Sequence, residues 1–260
     1  MNRFDHDVHL MIDEWNALKD DLKTGKVMPD DMDAIKKYDF FAWFHEMVKY
    51  VKPDLGVEYK NINNVYRAVH HDSLKEHESD RLIPTKEHAV INKMTPSDRL
   101  FLYLGYHDDE EHDLIKDTCA KEIHAKDGDV VSVGKFELNN DDKKIIDLTH
   151  NNIPIHENRF VSFVKEEFEK GGEESMRKAL VRVIFEVFSL DGTFKPMEGE
   201  KDHDLEYAPF HALVNLFENE GFDGMIYRSM VVAEGKNLVL FNHEDATCIP
   251  ETIHQHVVSN

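Results

Sequence analysis

The 260-residue sequence lacks features on which several protein classes depend. It has only two cysteines, Cys119 and Cys248, which excludes a disulfide framework and fits a reducing compartment. No apolar run approaches the roughly 20 residues that span a bilayer, and the first residues are too charged for a signal peptide. The sequence therefore predicts a cytoplasmic protein that does not engage a membrane, with both cysteines as small buried side chains.

Positive charge is also scarce. Lys and Arg together number 31 against 52 Asp and Glu, so the formal net charge is −21. A surface of this sign repels phosphate backbones, and direct binding of nucleic acid is not expected. A small anionic ligand remains compatible with a local group of cations, for which the sequence offers Arg67, Lys93, Arg99, Arg228 and Lys236.

The 12 glycines form none of the phosphate-binding or nucleophile motifs. There is no G-x-G-x-x-G after a strand, no G-x-x-x-x-G-K-[ST] and no G-x-S-x-G. The sequence has 17 histidines, and at 107–113 histidines and acidic residues form a dense group. The spacing of this group matches neither an EF-hand nor an H-E-x-x-H helix. We interpret 107–113 as a solvated loop and the histidines at 70–71 and 254–256 as surface residues, and we expect no metal.

The N-terminal residues show helical periodicity. Apolar side chains from Phe4 to Leu22 are spaced by three and four, which predicts an amphipathic helix ended by Gly25. A second helix is predicted over 40–51 and ends at Pro53. Residues 1–56 are therefore interpreted as a helical hairpin. Because an exposed stripe of large side chains would promote aggregation, we expect it to be buried on the rest of the chain or across a homodimer.

From residue 57 onward, short β-prone runs alternate with helical patterns. Strands are predicted at 65–69, 100–104, 130–138, 145–148, 224–227 and 237–241, and helices at 114–124, 160–168, 176–188 and 209–219. Residues 189–204 are predicted to form a polar loop. This order indicates an α+β domain over 57–260, with a mixed or largely antiparallel sheet flanked by helices.

The last two predicted strands are joined by a loop of special interest. Residues 228–236 connect them, and Ser229 stands directly after the first strand. Loops carried by buried strands are common places for functional residues.

Five segments together resemble the RES domain family, which is named for its Arg, Glu and Ser residues. They are VYRAV (65–69), KMTPSDRLFLYLG (93–105), TCAKEI (118–123), VSVGKFELNNDDKKIIDLT (131–149) and GFDGMIYRSMVVAEGKNLVLF (221–241). The resemblance covers about residues 57–245, and is greatest with longer members that carry a helical extension before the domain. It implies an ADP-ribosyltransferase-like fold that takes NAD⁺ as substrate and breaks the bond between nicotinamide and ribose.

The resemblance also implies a biological setting and specific site residues. Many RES proteins are toxins of toxin–antitoxin pairs that deplete NAD⁺ by hydrolysis or phosphorolysis, so a cognate antitoxin is an expected partner. Arg67 matches the family's first arginine, Tyr103 its tyrosine, Glu122 its glutamate and Ser229 its serine, while Asn237 lies where the terminal strand carries Gly-x-Asn. Two alternatives stay open: transfer of ADP-ribose onto a protein, and a non-catalytic binding module.

The sequence departs from the family pattern at two points. Lys93 replaces a second arginine and lacks the planar fork that grips a pyrophosphate, for which Arg99 is the available substitute. Tyr103 and Glu122 are 19 positions apart because the acidic 107–113 segment is inserted between them.

The chemistry of NAD⁺ cleavage suits these residue types. Nicotinamide leaves as a neutral base and the ribose becomes oxocarbenium-like, so a carboxylate such as Glu122 stabilises it or orients the incoming water. Arg67, with Lys93 or Arg99, is expected to neutralise the pyrophosphate. The remaining roles are stacking by Tyr103, a hydrogen bond to the nicotinamide end by Ser229, and support of its loop by Asn237.

Overall fold

The structure is a computed structural model that describes residues 3–71, 79–85, 99–107, 112–149, 155–195 and 203–258. In chain order, the helices and strands of these residues are α1 (Arg3–Lys23), α2 (Met32–Ile35), α3 (Asp39–Leu55), β1 (Gly56–Glu58), β2 (Val65–His71), β3 (Leu102–Tyr106), α4 (His112–Glu122), β4 (Val130–Leu138), β5 (Lys144–Asp147), α5 (Phe160–Leu190), α6 (His203–Glu206), α7 (Ala208–Asn219), β6 (Gly224–Arg228), β7 (Lys236–Leu240), β8 (Ala246–Cys248) and β9 (His254–Val257).

The chain divides into two compact units. The first comprises residues 1–56, 148–194 and 198–220, and the second comprises 57–147, 195–197 and 221–260. The first unit thus joins the N-terminal hairpin with later helices. The sequence predicts a single domain boundary between residues 56 and 57, whereas each of these units contains several segments of the chain. The predicted division into domains stays a prediction.

An aromatic core holds the first unit together. Trp15 of α1 and Phe44 of α3 are fully buried, and each packs on Phe188 of α5, with ring centroids 4.6 Å and 5.4 Å apart. Burial of such large rings is the main favourable contribution to the folding of this unit. The expectation that the apolar stripe of the hairpin is buried is confirmed, and its contacts lie within the chain.

The second unit contains one mixed sheet and α4. Among the described residues the strand order is β1-β5-β6-β7-β3-β2-β4-β8, and β9 also pairs with β4. Of the pairs with a described register, only β5–β6 is parallel. This confirms the predicted α+β class with a mixed, mostly antiparallel sheet.

The predicted elements differ from the observed ones mainly at their ends. The second helix continues past Pro53 to Leu55, because a proline near a C-terminus removes a single hydrogen bond. The helices predicted at 160–168 and 176–188 are both present, separated by Gly172 with a φ of 68° and a ψ of −150°. The predicted polar loop at 189–204 lies partly outside the described residues.

Several short elements were not predicted from the sequence. These are α2, α6, β1, β8 and β9, each of three or four residues and too short for a periodic pattern. Helix α6 begins within the segment 189–204 that was predicted to be a polar loop. No helix in the described residues is long and apolar enough to cross a membrane.

Candidate active site

One row of residues crosses the middle of the sheet on a single face. Tyr66 of β2 pairs with Gly105 of β3, Gly105 with Asn237 of β7, and Asn237 with Tyr227 of β6. Residues paired directly across strands project to the same face. Helix α4 covers this face at Gly105, where a Cβ atom would lie 2.5 Å from Cys119 Sγ and 3.0 Å from the carbonyl oxygen of Ile115.

Two glycines allow α4 to lie unusually close to the strands and their connecting loop. Gly105 provides the space below Cys119, and at Gly235 a Cβ would lie 2.5 Å from Thr118 Oγ1. The Cys119 thiol donates to the carbonyl oxygen of Tyr66 at 3.1 Å. These contacts fix the last turn of α4, from which Glu122 extends, against β2 and the β6–β7 loop.

Glu122 is the centre of a three-residue hydrogen-bonded cluster. Its Oε1 atom accepts from Ser229 Oγ at 2.7 Å and from Asn237 Nδ2 at 2.6 Å. No described residue donates to its Oε2 atom, and the side chain is partly exposed. The structure thus brings together three of the residues singled out by sequence, with one carboxylate oxygen held and the other available.

The loop around Ser229 determines the direction of its hydroxyl hydrogen bond. Ser229 Oγ accepts from the backbone amides of Val231 at 3.2 Å and Val232 at 2.9 Å. The Ser229 amide donates to the carbonyl of Gly235 at 2.8 Å and so closes the loop. Because both amides can only donate, the hydroxyl proton of Ser229 goes to Glu122.

Arg67 and Tyr103 lie where two strands separate. Strands β2 and β3 share the single register pair Tyr66 and Gly105, although each is paired along its length with its other neighbour. Arg67 follows this pair on β2, and Tyr103 precedes it on β3. Tyr103 is partly buried and pairs with Val239 of β7.

Arg67 is a half-buried cation whose inner guanidinium atoms need an anion. Within the described parts of the chain, its Nε and Nη1 atoms are buried and have no hydrogen-bond partner. Burial lowers the pKa of Arg67 to about 10, although the nearby Cys119 and Tyr103 act in the opposite direction. A guanidinium in this state is costly unless a ligand supplies the compensating charge.

The Cys119 thiol is buried. Burial is the main cause that raises its pKa to about 12; the charge of Glu122 acts in the same direction, and a backbone hydrogen bond at Gly105 and the charge of Arg67 act in the opposite direction. The thiol is therefore protonated and unsuited to act as a nucleophile. Among the described residues, no hydrogen bond joins Arg67 to Glu122.

Arg99 is not part of the Glu122 cluster. Arg99 stacks on the ring of Phe101 at 4.7 Å and donates to the carbonyl of Phe241 at 3.3 Å. Phe241 lies four residues beyond Asn237, which is about 13 Å along a strand. Lys93 lies outside the described residues.

The acidic segment at 107–113 lies partly outside the described residues, since 108–111 are not described and α4 begins at His112. Within the described ranges, no group of three or more His, Cys, Asp or Glu side chains is placed to hold a metal ion.

Sequence reasoning missed the residues that support the cluster. Gly105, Thr118 and Gly235 set the position of α4, and His70 contacts the carbonyl oxygen of Ile123 at 2.8 Å. A glycine inside a strand pattern, as in LYLGY, is a known signal of close approach by another backbone. The contact of His70 had no signal in the sequence.

Comparisons with known proteins yield one distant structural likeness. No protein-family model and no curated protein matches the chain. A chain of the crystal structure of the M. tuberculosis MbcT–MbcA toxin–antitoxin complex is similar at 11% identity and a TM-score of 0.35, over 82% of this chain and 92% of that one. A likeness this distant supports no conclusion about function.

Proposed function

We propose that this protein cleaves the bond between nicotinamide and ribose in NAD⁺ and passes ADP-ribose to water or inorganic phosphate. The observation that carries the proposal is the meeting of Glu122, Ser229 and Asn237 at one carboxylate oxygen. These residues come from two separate segments of the sequence, 118–123 and 221–241, and both segments resemble the RES domain at the matching positions.

The proposed chemistry follows from the state of Glu122. Its Oε1 atom is held by two neutral donors, so the carboxylate is oriented while Oε2 can face a sugar. When the C1′–N bond breaks, nicotinamide leaves with the electron pair as a neutral base, and the ribose carries positive charge. A preorganised carboxylate stabilises that charge in the transition state and adds little in the ground state.

In the second half of the reaction, a nucleophile completes the exchange. In hydrolysis, water forms the new C1′–O bond and releases a proton, which Glu122 can accept as a general base. In phosphorolysis, a phosphate oxygen forms the same bond and no proton is released from water. Both routes produce one nicotinamide for each NAD⁺ consumed.

Arg67 is proposed to bind the pyrophosphate of NAD⁺. Two of its nitrogen atoms are buried without a described partner, and a phosphate oxygen would satisfy them with charge-assisted hydrogen bonds. Tyr103, on the neighbouring strand, is proposed to stack on the nicotinamide or adenine ring. Lys93 or Arg99 remains the proposed second cation for the pyrophosphate.

A toxin role is part of the proposal, because loss of NAD⁺ stops growth and a cell must restrain such an enzyme. We therefore propose a protein antitoxin as a partner. Induced expression of the parent chain in bacteria is expected to deplete NAD⁺ and arrest growth, whereas Glu122→Gln at the same expression level should leave both unaffected. Arrest by both proteins would contradict a role for cleavage.

The decisive experiment mixes the purified protein with NAD⁺ and separates the products. Nicotinamide with free ADP-ribose indicates hydrolysis, and ADP-ribose-1-phosphate formed only in phosphate buffer indicates phosphorolysis. Nicotinamide with ADP-ribose found on protein indicates transfer. No nicotinamide from a folded protein in either buffer, with candidate protein acceptors present, would overturn the proposal.

A further inference from the structure

The helix that carries Glu122 ends in a specific cap. The amide of His124 donates to the carbonyl of Lys121 at 2.9 Å, and the amide of Ala125 donates to that of Ala120 at 3.1 Å. His124 has a positive φ of 56°. These features define a Schellman motif in which Glu122 is the last helical residue and Ile123 follows it as the C-cap.

A histidine on β2 completes this cap. The carbonyl of Ile123 belongs to the group of terminal carbonyls that a helix leaves without an internal partner. His70 Nε2 lies 2.8 Å from that oxygen. Because a carbonyl oxygen can only accept, Nε2 carries the proton and donates, which ties the end of α4 to β2.

The other side of the His70 ring faces the turn that follows the cap. His70 Nδ1 lies 3.8 Å from Asp129 Oδ2. The same carboxylate oxygen accepts from the amide of Lys126 at 2.7 Å. The ring therefore lies between the C-cap carbonyl and a carboxylate that holds the next turn.

We propose that His70 is a positioning residue: it holds the last turn of α4 so that Glu122 stays in contact with Ser229 and Asn237. The expected effect of His70 on catalysis rests on the proposed function, whereas its expected effect on the position of the last turn of α4 does not. His70 contacts Ile123, the immediate neighbour of Glu122, and does not contact Glu122 itself. A shift of about 1 Å at a catalytic group is enough to cost up to roughly 100-fold in rate.

The test uses variants that differ in one donor. His70→Leu removes the donor, whereas His70→Gln keeps an amide nitrogen near the position of Nε2. His70→Asn has a shorter reach and gives a second variant without the donor contact should His70→Leu fail to fold. The control is Lys121→Met, which breaks the exposed ion pair of Lys121 with Asp117 on the same helix and leaves the cap in place.

Two structural readouts do not depend on activity. In His70→Leu, hydrogen exchange of the amides of His124 and Ala125 should accelerate about fivefold, since the lost hydrogen bond is worth about 1 kcal/mol. The side-chain amide NMR signals of Asn237, which donates to Glu122, should shift. Both readouts should stay at parental values in His70→Gln and Lys121→Met.

The kinetic readout separates positioning from general stability. In His70→Leu, kcat for nicotinamide release should fall about tenfold or more while KM for NAD⁺ stays within about twofold, and His70→Gln should restore kcat. Unchanged Asn237 signals in His70→Leu would overturn the proposal, as would unchanged kcat in an active enzyme. If the parent protein releases no nicotinamide, the proposed function fails, and the exchange rates and Asn237 signals still decide the role of His70.

Discussion

Ser229 and Glu122 are 107 positions apart in the chain and are joined by a hydrogen bond of 2.7 Å from Oγ to Oε1. The hydroxyl has its two acceptor positions occupied by the amides of its own loop, so it has one direction in which to donate. This makes Ser229 both the organiser of the β6–β7 loop and a fixed donor to the carboxylate. Loss of the hydroxyl should therefore affect the loop and Glu122 together.

Replacement of Ser229 tests this relationship. Ser229→Ala should lower kcat for nicotinamide release roughly 10- to 100-fold, because a hydrogen bond to a charged group is worth about 1.5–3 kcal/mol. Ser229→Thr keeps the hydroxyl and should stay within a few-fold of the parent. Val231→Ala changes an exposed residue of the same loop and serves as the control. Equal rates for Ser229→Ala and the parent would show that Glu122 is positioned without the serine.

Removal of the charge on Glu122 should separate binding from chemistry. Glu122→Gln keeps the size of the side chain and most of its hydrogen bonding, so NAD⁺ binding should persist. Release of nicotinamide should fall roughly 100-fold or more, the scale of losing one preorganised electrostatic group. NAD⁺ titration measures binding, and a nicotinamide assay measures release. Turnover by Glu122→Gln at the parental rate would show that Glu122 is a structural carboxylate.

Arg67 should show the opposite pattern. Burial lowers its pKa, which means that the folded protein pays for keeping the guanidinium charged at neutral pH. Arg67→Met matches its volume without the charge, so the ligand-free protein should gain about 1–2 kcal/mol of stability, or a few degrees in Tm.

The same substitution should weaken NAD⁺ binding, since the pyrophosphate charge is present in the ground and transition states alike. NAD⁺ should therefore raise the Tm of the parent and leave that of Arg67→Met nearly unchanged. The control for loss of positive charge is Lys135→Met. Lys135 lies on the neighbouring strand β4, and its side chain donates to Asn64 Oδ1. Equal NAD⁺-induced shifts in the parent and Arg67→Met would contradict the assignment of Arg67 to the pyrophosphate.

The sequence was sufficient to predict most of the helices and strands, because the secondary structure of long periodic runs such as 130–138 follows from the local sequence pattern. It was sufficient to name Glu122, Ser229 and Asn237, which the structure brings into contact. It was not sufficient to predict β8 or β9, whose short runs become strands only by pairing with β4. Whether such short segments form strands is decided by tertiary pairing and not by local propensity.

The supporting residues of the site depend on packing in the same way. The role of His70 requires knowing that the end of α4 lies beside β2, which no spacing in the sequence reveals. The prediction that Arg99 substitutes for an arginine at 93 was made from charge alone and stays a prediction. In the structure the guanidinium of Arg99 stacks on Phe101.

Gly172 should be intolerant of substitution although it has open space around it. No atom lies within 4 Å of a Cβ placed there, but its φ of 68° and ψ of −150° are accessible only to glycine. Gly172→Ala should lower the stability by about 1–3 kcal/mol. Glu169→Ala, an exposed substitution on the same helix, should change it by less than about 0.5 kcal/mol. Similar denaturation midpoints for the two variants would show that the chain can straighten at this point without cost.

Gly105→Ala tests whether the close approach of α4 sets the position of Glu122. The new methyl group would lie 2.5 Å from Cys119 Sγ and 3.0 Å from the carbonyl of Ile115, so the helix must move outward. Overpacking of this kind costs about 1–3 kcal/mol. Because the helix carries Glu122 away from Ser229 and Asn237, nicotinamide release should fall by more than the stability change explains.

The Cys119 thiol reports the same movement directly. Burial raises its pKa to about 12, so at pH 8 it should resist iodoacetamide in the parent protein and react faster in Gly105→Ala, as read by mass spectrometry of the Cys119 peptide. Cys248 is buried against Gly134 and serves as the internal control, with an unchanged rate. The double variant Gly105→Ala/Cys119→Ala removes the sulfur but leaves the Ile115 contact, and should recover only part of the lost activity. A Gly105→Ala protein with parental activity and an unreactive Cys119 would show that α4 accommodates the methyl group in place, and that the close approach does not position Glu122.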